Sequence, residues 1–212
     1  MGTNGSGNHL VTSIEQLTAI YGAPAGGSVA KELDHVSAHY RAFIEAAPFC
    51  AMATCGPDGL DCTPRGDPAG FVRILDDRTL LLPDRPGNRI ADSLRNILQN
   101  PRVGLLFLLP GVGVTFRVNG RAALVTDEEL LAPCVVEGRT PKLGILIEVE
   151  EAYTQCPKAL LRSDLWNPDK HVDKDELPTT GEIFAVIRGA GFDAEEYDAA
   201  GAARYARREG FY

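Results

Sequence analysis

Apolar residues recur at helical spacing near both ends of the chain and at strand spacing between them. Thr12-Ser-Ile-Glu15 reads as a capping box ahead of IEQLTAIY, which Gly22 ends. After APAGGS a second helix is predicted from Ser28 to about Ala46, because Leu33, Val36, Tyr40, Phe43 and Ile44 fall on one face. From Pro48 the period changes. FCAMATC, LDCTPR, FVRIL and LLLP read as short strands separated by GPDG, GDPAG and DDRT. Ile90, Leu94, Ile97 and Leu98 then mark a helix with one buried stripe, which NPR stops. VGLLFLLP, VTFRVNGRAALV and KLGILIEVEE (142–151) are three further strands, with a short helix opened by Thr126-Asp-Glu-Glu129 before the last. From Pro178, GEIFAVI and AEEYDAAGAARYARRE are helical again.

Six or seven strands within about 105 residues, joined by tight turns, close most economically into a small antiparallel barrel without exposed edges. The fold class is therefore mainly β with flanking helices. Three parts are expected: an N-terminal helical extension over 1–47, a barrel core over 48–151, and a C-terminal helical segment over 152–212 packing on the barrel.

Charge narrows the partners. A net charge of −8 over 212 residues lacks the basic footprint that a nucleic-acid backbone requires. The charge is nevertheless uneven: residues 61–121 hold nine arginines, six aspartates and no lysine, an excess of +3. Arginine-rich local basicity suits a small anionic ligand, since the guanidinium fork grips phosphate through two bonds. No apolar run reaches the roughly 20 residues of a membrane helix, and MGTNGSGNHL lacks a secretion-signal pattern, so a soluble cytoplasmic protein is expected. Five cysteines without a C-x-x-C motif are expected to be reduced and mostly buried.

The candidate chemistry centres on LLLPDRPGNRIADSLRNI (80–97), where a strand stops at Pro83 and a helix follows a tight turn. A helix N-terminus offers unpaired N–H groups and partial positive charge to an anion. Gly87 permits close approach, Asn88 is placed to cap the helix, and Arg85 and Arg89 add charge, so the fitted ligand is a phosphate. Arg65, at the end of TPR, is placed to point across the sheet towards the same turn. The alternative is an exposed turn with an Arg65–Asp67 or Arg85–Asp84 ion pair. His35 and His39 stand four apart, but Val36 occupies the place where a zinc hydrolase motif carries glutamate, and no metal is expected. Cys156, before Pro157 and near Lys158, is either a thiol activated at a helix entry or a structural residue. GVGVTF lacks the third glycine of a dinucleotide fingerprint.

TPRGDPAGFVRI, LLLPDRPGNRIADSLRNILQNPRVGLLFLLPG, RVNGRA and the later QCPKALLRSDLW together resemble the pyridoxamine 5'-phosphate oxidase-like family of FMN-binding split barrels, over roughly residues 30 to 187. The resemblance implies a homodimer of six-stranded antiparallel split β-barrels with one FMN in each of two interface clefts. It implies that Arg65 reaches the flavin phosphate, that the backbone at Pro83 and Asp84 lies along the flavin, and that Asn88 and Arg89, beside Arg85, hold the phosphate. Thr115 takes the position of a polar group supplied by the partner subunit, and Lys158 and Trp166 are candidates for closing the cleft. No lysine follows Arg65 before Lys142, and Trp166 is followed by NPDKH, so vitamin B6 oxidation itself is not implied. The expected function is an FMN-dependent oxidoreductase moving hydride or electrons between NAD(P)H and a small organic substrate or oxygen. Because the flavin carries the reaction, no catalytic side chain is named. A deazaflavin (F420) dependent reductase on the same barrel and a non-catalytic flavin- or haem-binding protein are the alternatives.

Overall fold

A computed structural model of the chain describes residues 9–23, 27, 30–189 and 191–212. The chain divides into two units, Met1–Glu32 and Leu33–Tyr212. Residues 33–47 and 152–212 thus belong to the same unit as the barrel. In the first unit, helix α1 (Ile14–Tyr21) is capped by Ser13, one residue later than the predicted box, with its Oγ accepting from the Gln16 amide at 3.3 Å.

In the second unit, the helix predicted from Ser28 shortens to α2 (Ala38–Ala46). Ser37 caps it, accepting from the Tyr40 amide at 3.3 Å. Upstream, the backbone is spent elsewhere: Leu33 bridges Ala152 of the last strand, and the Val36 amide donates to Asp77 O, in a turn, at 2.7 Å. Residues 28 and 29 of the predicted helix, and most of APAGGS, lie outside the described residues.

Seven antiparallel strands follow: β1 (Phe49–Gly56), β2 (Gly59–Gly66), β3 (Arg73–Ile74), β4 (Thr79–Pro83), β5 (Arg102–Leu108), β6 (Thr115–Val125) and β7 (Gly144–Gln155), in the order β2-β1-β5-β6-β7-β4-β3. Six are full strands and β3 is a two-residue edge, so the strand count exceeds the expected six while the fold type matches. FVRIL contributes only Arg73 and Ile74 because Phe71 and Val72 turn inwards as buried anchors.

Period-two alternation fills the barrel. Cys50 and Met52 of β1, Leu105 and Phe107 of β5, Phe116 and Val118 of β6, and Ile145 and Ile147 of β7 all point inwards and are buried. Helix α2 closes one end by setting Tyr40 and Phe43 against Phe116, at ring-centroid distances of 5.1 and 5.8 Å. The fully buried Phe116 ring contributes on the order of 2–3 kcal/mol, and the half-buried Tyr40 and Phe43 less. Strand β4 reads as a continuous apolar run because both of its faces are covered. Its outer residue Leu81 lies beneath Leu131 of α4 (Glu128–Leu131), and a Cβ on Gly144 would come within 2.8 Å of Leu81 and 2.9 Å of Leu131. The glycine of RVNGRA also has a steric reason. The β6–β7 register shifts between Asn119 and Gly120, and any Cβ at Gly120 would overlap the Glu148 carbonyl oxygen.

Helix α3 (Asp92–Gln99) packs on β1, β6 and β2, and its N-terminal end lies at the seam between β2 and the turn after β4. Its buried face is Ser93, Ile97 and part of Leu94; Ile90 and Leu98 of the predicted stripe are exposed. Beyond β7 come α5 (Lys158–Arg162), α6 (Thr180–Arg188) and α7 (Ala194–Ala206). The last two form the predicted helical tail, pinned by Phe184, Phe192 and Tyr197 and by the Gly181 amide donating to Asp198 at 2.8 Å. Among the described residues no helix is long and apolar enough to cross a membrane.

Candidate functional site

The inner face of β2 carries Asp61, Thr63 and Arg65, paired across the ladder with Thr54, Met52 and Cys50. This edge of the barrel is polar because α3 covers it with polar groups. Ser93 Oγ donates to Asp61 at 2.7 Å and lies 3.3 Å from Thr63 Oγ1, while Asn96 Nδ2 donates to Thr54 Oγ1 at 3.1 Å. The helix comes this close because Gly56 has no side chain; a Cβ there would overlap Asn96.

Arg65 reaches from this edge across the seam to the turn after β4, where its Nη1 donates to Asp84 Oδ1 at 2.9 Å. Asp84 is itself fixed, its amide donating to Leu143 O at 2.9 Å. The next arginine reaches back: Arg85 Nε donates to Asp67 Oδ2 at 2.6 Å and Arg85 Nη2 to Cys134 O at 2.8 Å. Both loops contribute to the pairing, but crosswise: the pairs are Arg65–Asp84 and Arg85–Asp67 rather than Arg65–Asp67 or Arg85–Asp84. Tyr212 completes the second pair, its hydroxyl donating to Asp67 at 2.7 Å and its ring lying 5.1 Å from the Arg85 guanidinium. That bond and partial burial raise the Tyr212 phenol above its ordinary value. Arg85 is therefore a structural tie whose fork is taken up by protein partners.

The turn differs from the predicted helix start. Arg89 and Ala91 have left-handed backbones, φ 64° and 59°, which delay the helix to Asp92. Asn88 accepts from the Ile90 amide at 3.0 Å and does not cap α3; no side chain does. The open N-terminus of α3 thus faces the cleft with its first-turn amides uncapped. Arg89 is exposed and, among the described residues, makes no side-chain hydrogen bond or ion pair.

Two clefts meet at this turn. The smaller, about 290 Å³, lies between β2 and α3; there Arg65, Arg85 and Arg89 face Asp61, Asp84 and Asp92. The larger, about 630 Å³, is walled by Leu143 and Tyr212 and is cationic, with Arg89, Arg139 and Lys142 beside Asp84 and the Asp67-paired Arg85; Arg139 Nη1 donates to Tyr212 O at 2.6 Å. Among the described residues one buried side-chain donor has no acceptor, the Nε of Arg65. A buried guanidinium N–H without a partner costs free energy unless a ligand accepts from it.

A sequence model of the family described as pyridoxamine 5'-phosphate oxidase matches residues 36–156, more than half of the chain. The chain belongs to this family. Solved structures similar to it include HupZ of Group A Streptococcus (18% identity, 57% of this chain and 94% of that one, TM-score 0.48). A structure titled a putative pyridoxamine 5'-phosphate oxidase from Lactobacillus delbrueckii gives 17%, 58%, 98% and 0.46. One titled an FMN-binding protein from Syntrophomonas wolfei gives 14%, 54%, 86% and 0.41. No curated protein matches the chain.

Of the residues implied by the family resemblance, Arg65, Pro83, Asp84, Arg85, Asn88 and Arg89 gather at the seam, although Pro83 is buried as the last residue of β4. Thr115, Lys158 and Trp166 do not join them. Arg65 shares a ladder row with Cys50, Phe107 and Phe116, and directly opposed residues point to one face. Thr115, next to Phe116, therefore points to the opposite face, where it is buried. Trp166 is tied to the loop before β6, its Nε1 donating to Val112 O at 3.0 Å, and Lys158 is exposed at the start of the five-residue α5. Cys156 is exposed just before Pro157, which caps that short helix, and lines neither cleft. Ser93, Arg139 and Tyr212 are site residues that the sequence did not reveal, and Asp67, named there as a partner of Arg65, pairs with Arg85.

Proposed function

We propose that the protein is an FMN-binding flavoprotein of this family. The observation that carries the reading is the convergence of Arg65, with its unpartnered buried Nε, the free Arg89 and the uncapped start of α3 on one cleft. These residues would hold the phosphate, and the backbone at Pro83 and Asp84 would flank the ring system towards the larger cleft. Bound there, the flavin would supply hydride or electron transfer between NAD(P)H and a small organic substrate or oxygen. The protein's own part is binding and water exclusion: the Asp67–Arg85–Tyr212 tie holds the turn, and Leu143 and Tyr212 wall the cleft.

The proposal includes a homodimer. The family resemblance supports it; within its own chain Thr115 is buried and points away from the seam, so it takes no part in that chain's own cleft. Sedimentation at low concentration should give a dimer; a monomer that retains FMN would refute this arrangement.

The first test is the visible absorption spectrum of the purified protein before and after FMN is added and the excess removed. A retained flavin spectrum is expected. Arg65→Ala and Arg89→Ala should each weaken FMN binding by roughly 10- to 100-fold, the value of a charge-assisted hydrogen bond. Unchanged affinity in both variants, or a melting temperature raised by F420 and not by FMN, would overturn the assignment.

A further inference from the structure

We infer that Asp84 sets the anion selectivity of the seam, because it is the carboxylate already bound to Arg65, beside which an incoming phosphate must sit. The inference rests on the flavin reading of this site and adds to it a determinant of phosphate preference. Asp84 does not sit on a free loop: it directly follows β4, where Pro83 pairs with Gly144, and its amide is bonded to Leu143 O. Its side chain is thus delivered to Arg65 by the rigid end of a strand. The two groups are largely shielded, 18% and 24% exposed, and Asp84 occupies one arm of the guanidinium while Nε is left over.

Charge gives this contact its consequence. The smaller cleft holds as many carboxylates as guanidinium groups, and Arg85 is already neutralised by Asp67. A phosphate monoester brought to Arg65 therefore meets the like charge of Asp84 at close range, where shielding from water keeps repulsion strong. Asp84 raises the threshold for any anion at this position. Only a ligand with further contacts, to Arg89 and the α3 amides, overcomes it.

The experiment uses the full chain, freed of flavin by dialysis against chaotrope and refolded. It compares FMN with riboflavin, which lacks the phosphate, in wild type, Asp84→Asn and Asp84→Ser. Asp84→Asn keeps the shape and removes the charge. It should tighten FMN by about tenfold, in line with removal of one partly shielded like charge, and leave riboflavin unchanged; Asp84→Ser should do the same. Weaker FMN binding in both variants would show that Asp84 orients Arg65, and equal tightening of both flavins would show an effect unrelated to phosphate. Either result, or no change, overturns the inference. Stabilisation by inorganic phosphate, read as a melting-temperature shift, separates it from the flavin reading. If neither flavin binds wild type but phosphate raises the melting temperature of Asp84→Asn more than that of wild type, the flavin assignment fails and the role of Asp84 stands. Equal shifts overturn it.

Discussion

Replacing Asp67 with alanine tests whether the arginine turn is held by a buried ion pair rather than by its own stiffness. The Asp67 side chain is 1% exposed and that of Arg85 16%. The carboxylate accepts from Arg85 Nε at 2.6 Å and from the Tyr212 hydroxyl at 2.7 Å. Without it, the Arg85 guanidinium keeps only the Cys134 carbonyl and the Tyr212 ring, and its charge is uncompensated. Removing one partner of such a pair costs about 3–5 kcal/mol, with the lost tyrosine bond, about 1 kcal/mol, included in that range. For a unit of this size the midpoint of thermal unfolding should fall by roughly 10 °C. Denaturant unfolding of Asp67→Ala, Arg85→Ala and the double variant Asp67→Leu/Arg85→Met closes the argument, because removing both charges should cost less than removing either alone. The same single variants should retain FMN poorly, since Arg89 and the start of α3 depend on the turn's position. Losses below about 1 kcal/mol in both alanine variants would show that the turn does not depend on the pair.

Gly120→Ala should destabilise by about 3 kcal/mol, because its Cβ has no space beside the Glu148 carbonyl and the β6–β7 bulge must open; an unchanged melting curve would refute the steric account. Thiol titration of the native protein should find Cys62 and Cys156 reactive and Cys55 slower. Cys50, pushed up to about 12 by burial, and Cys134, also raised by burial, should react only after denaturation, and native labelling of Cys50 would contradict the packing. Asp34, bonded by His35 and then Arg78, has its carboxyl lowered from 3.8 to about 2. The pKa is depressed in the fold, so the stability it adds is present above about pH 4 and is lost as pH falls through about 2. A carboxyl NMR titration of Asp34 with an ordinary midpoint would refute the contact.

The longer strands were legible because they have one wet and one dry face: Cys50, Met52 and Thr54 alternate with Ala51, Ala53 and Cys55, and no tertiary knowledge is needed to see a period of two, while β4, covered on both faces, reads as a short apolar run. The second helix was over-extended for the opposite reason. Leu33 and Val36 fit a helical stripe, yet Leu33 spends its backbone hydrogen bonds on β7 and Val36 its amide on the β3–β4 turn, which only the folded barrel supplies. The site was partly legible. Arg65 and the PDRPGNR turn were found, but which arginine pairs with which aspartate depends on how the barrel closes, and spacing within either motif does not encode that. Tyr212 was beyond reach, since it bonds to a residue 145 positions away.

The excess of arginine in residues 61–121 points to an anion site, but its size overstates what an anion meets. Arg78 is committed to Asp34, Arg85 to Asp67, and Arg95 donates to the Ile90 carbonyl. Arg117 lies on the other face of the sheet, bonded to Tyr153 and Gln155. Arg89 and one unpaired donor of Arg65 remain at the seam. The two should therefore behave differently when removed. Arg89→Ala takes away an exposed cation that no carboxylate depends on, so FMN retention should fall while the melting temperature of the flavin-free protein stays within about a degree. Arg65→Ala leaves Asp84 shielded and unpaired at the strand end, so retention and flavin-free stability should fall together, the latter by about 1–3 kcal/mol. Equal stability losses in the two variants would mean that the crossed pairs do not divide the work of the turn in this way.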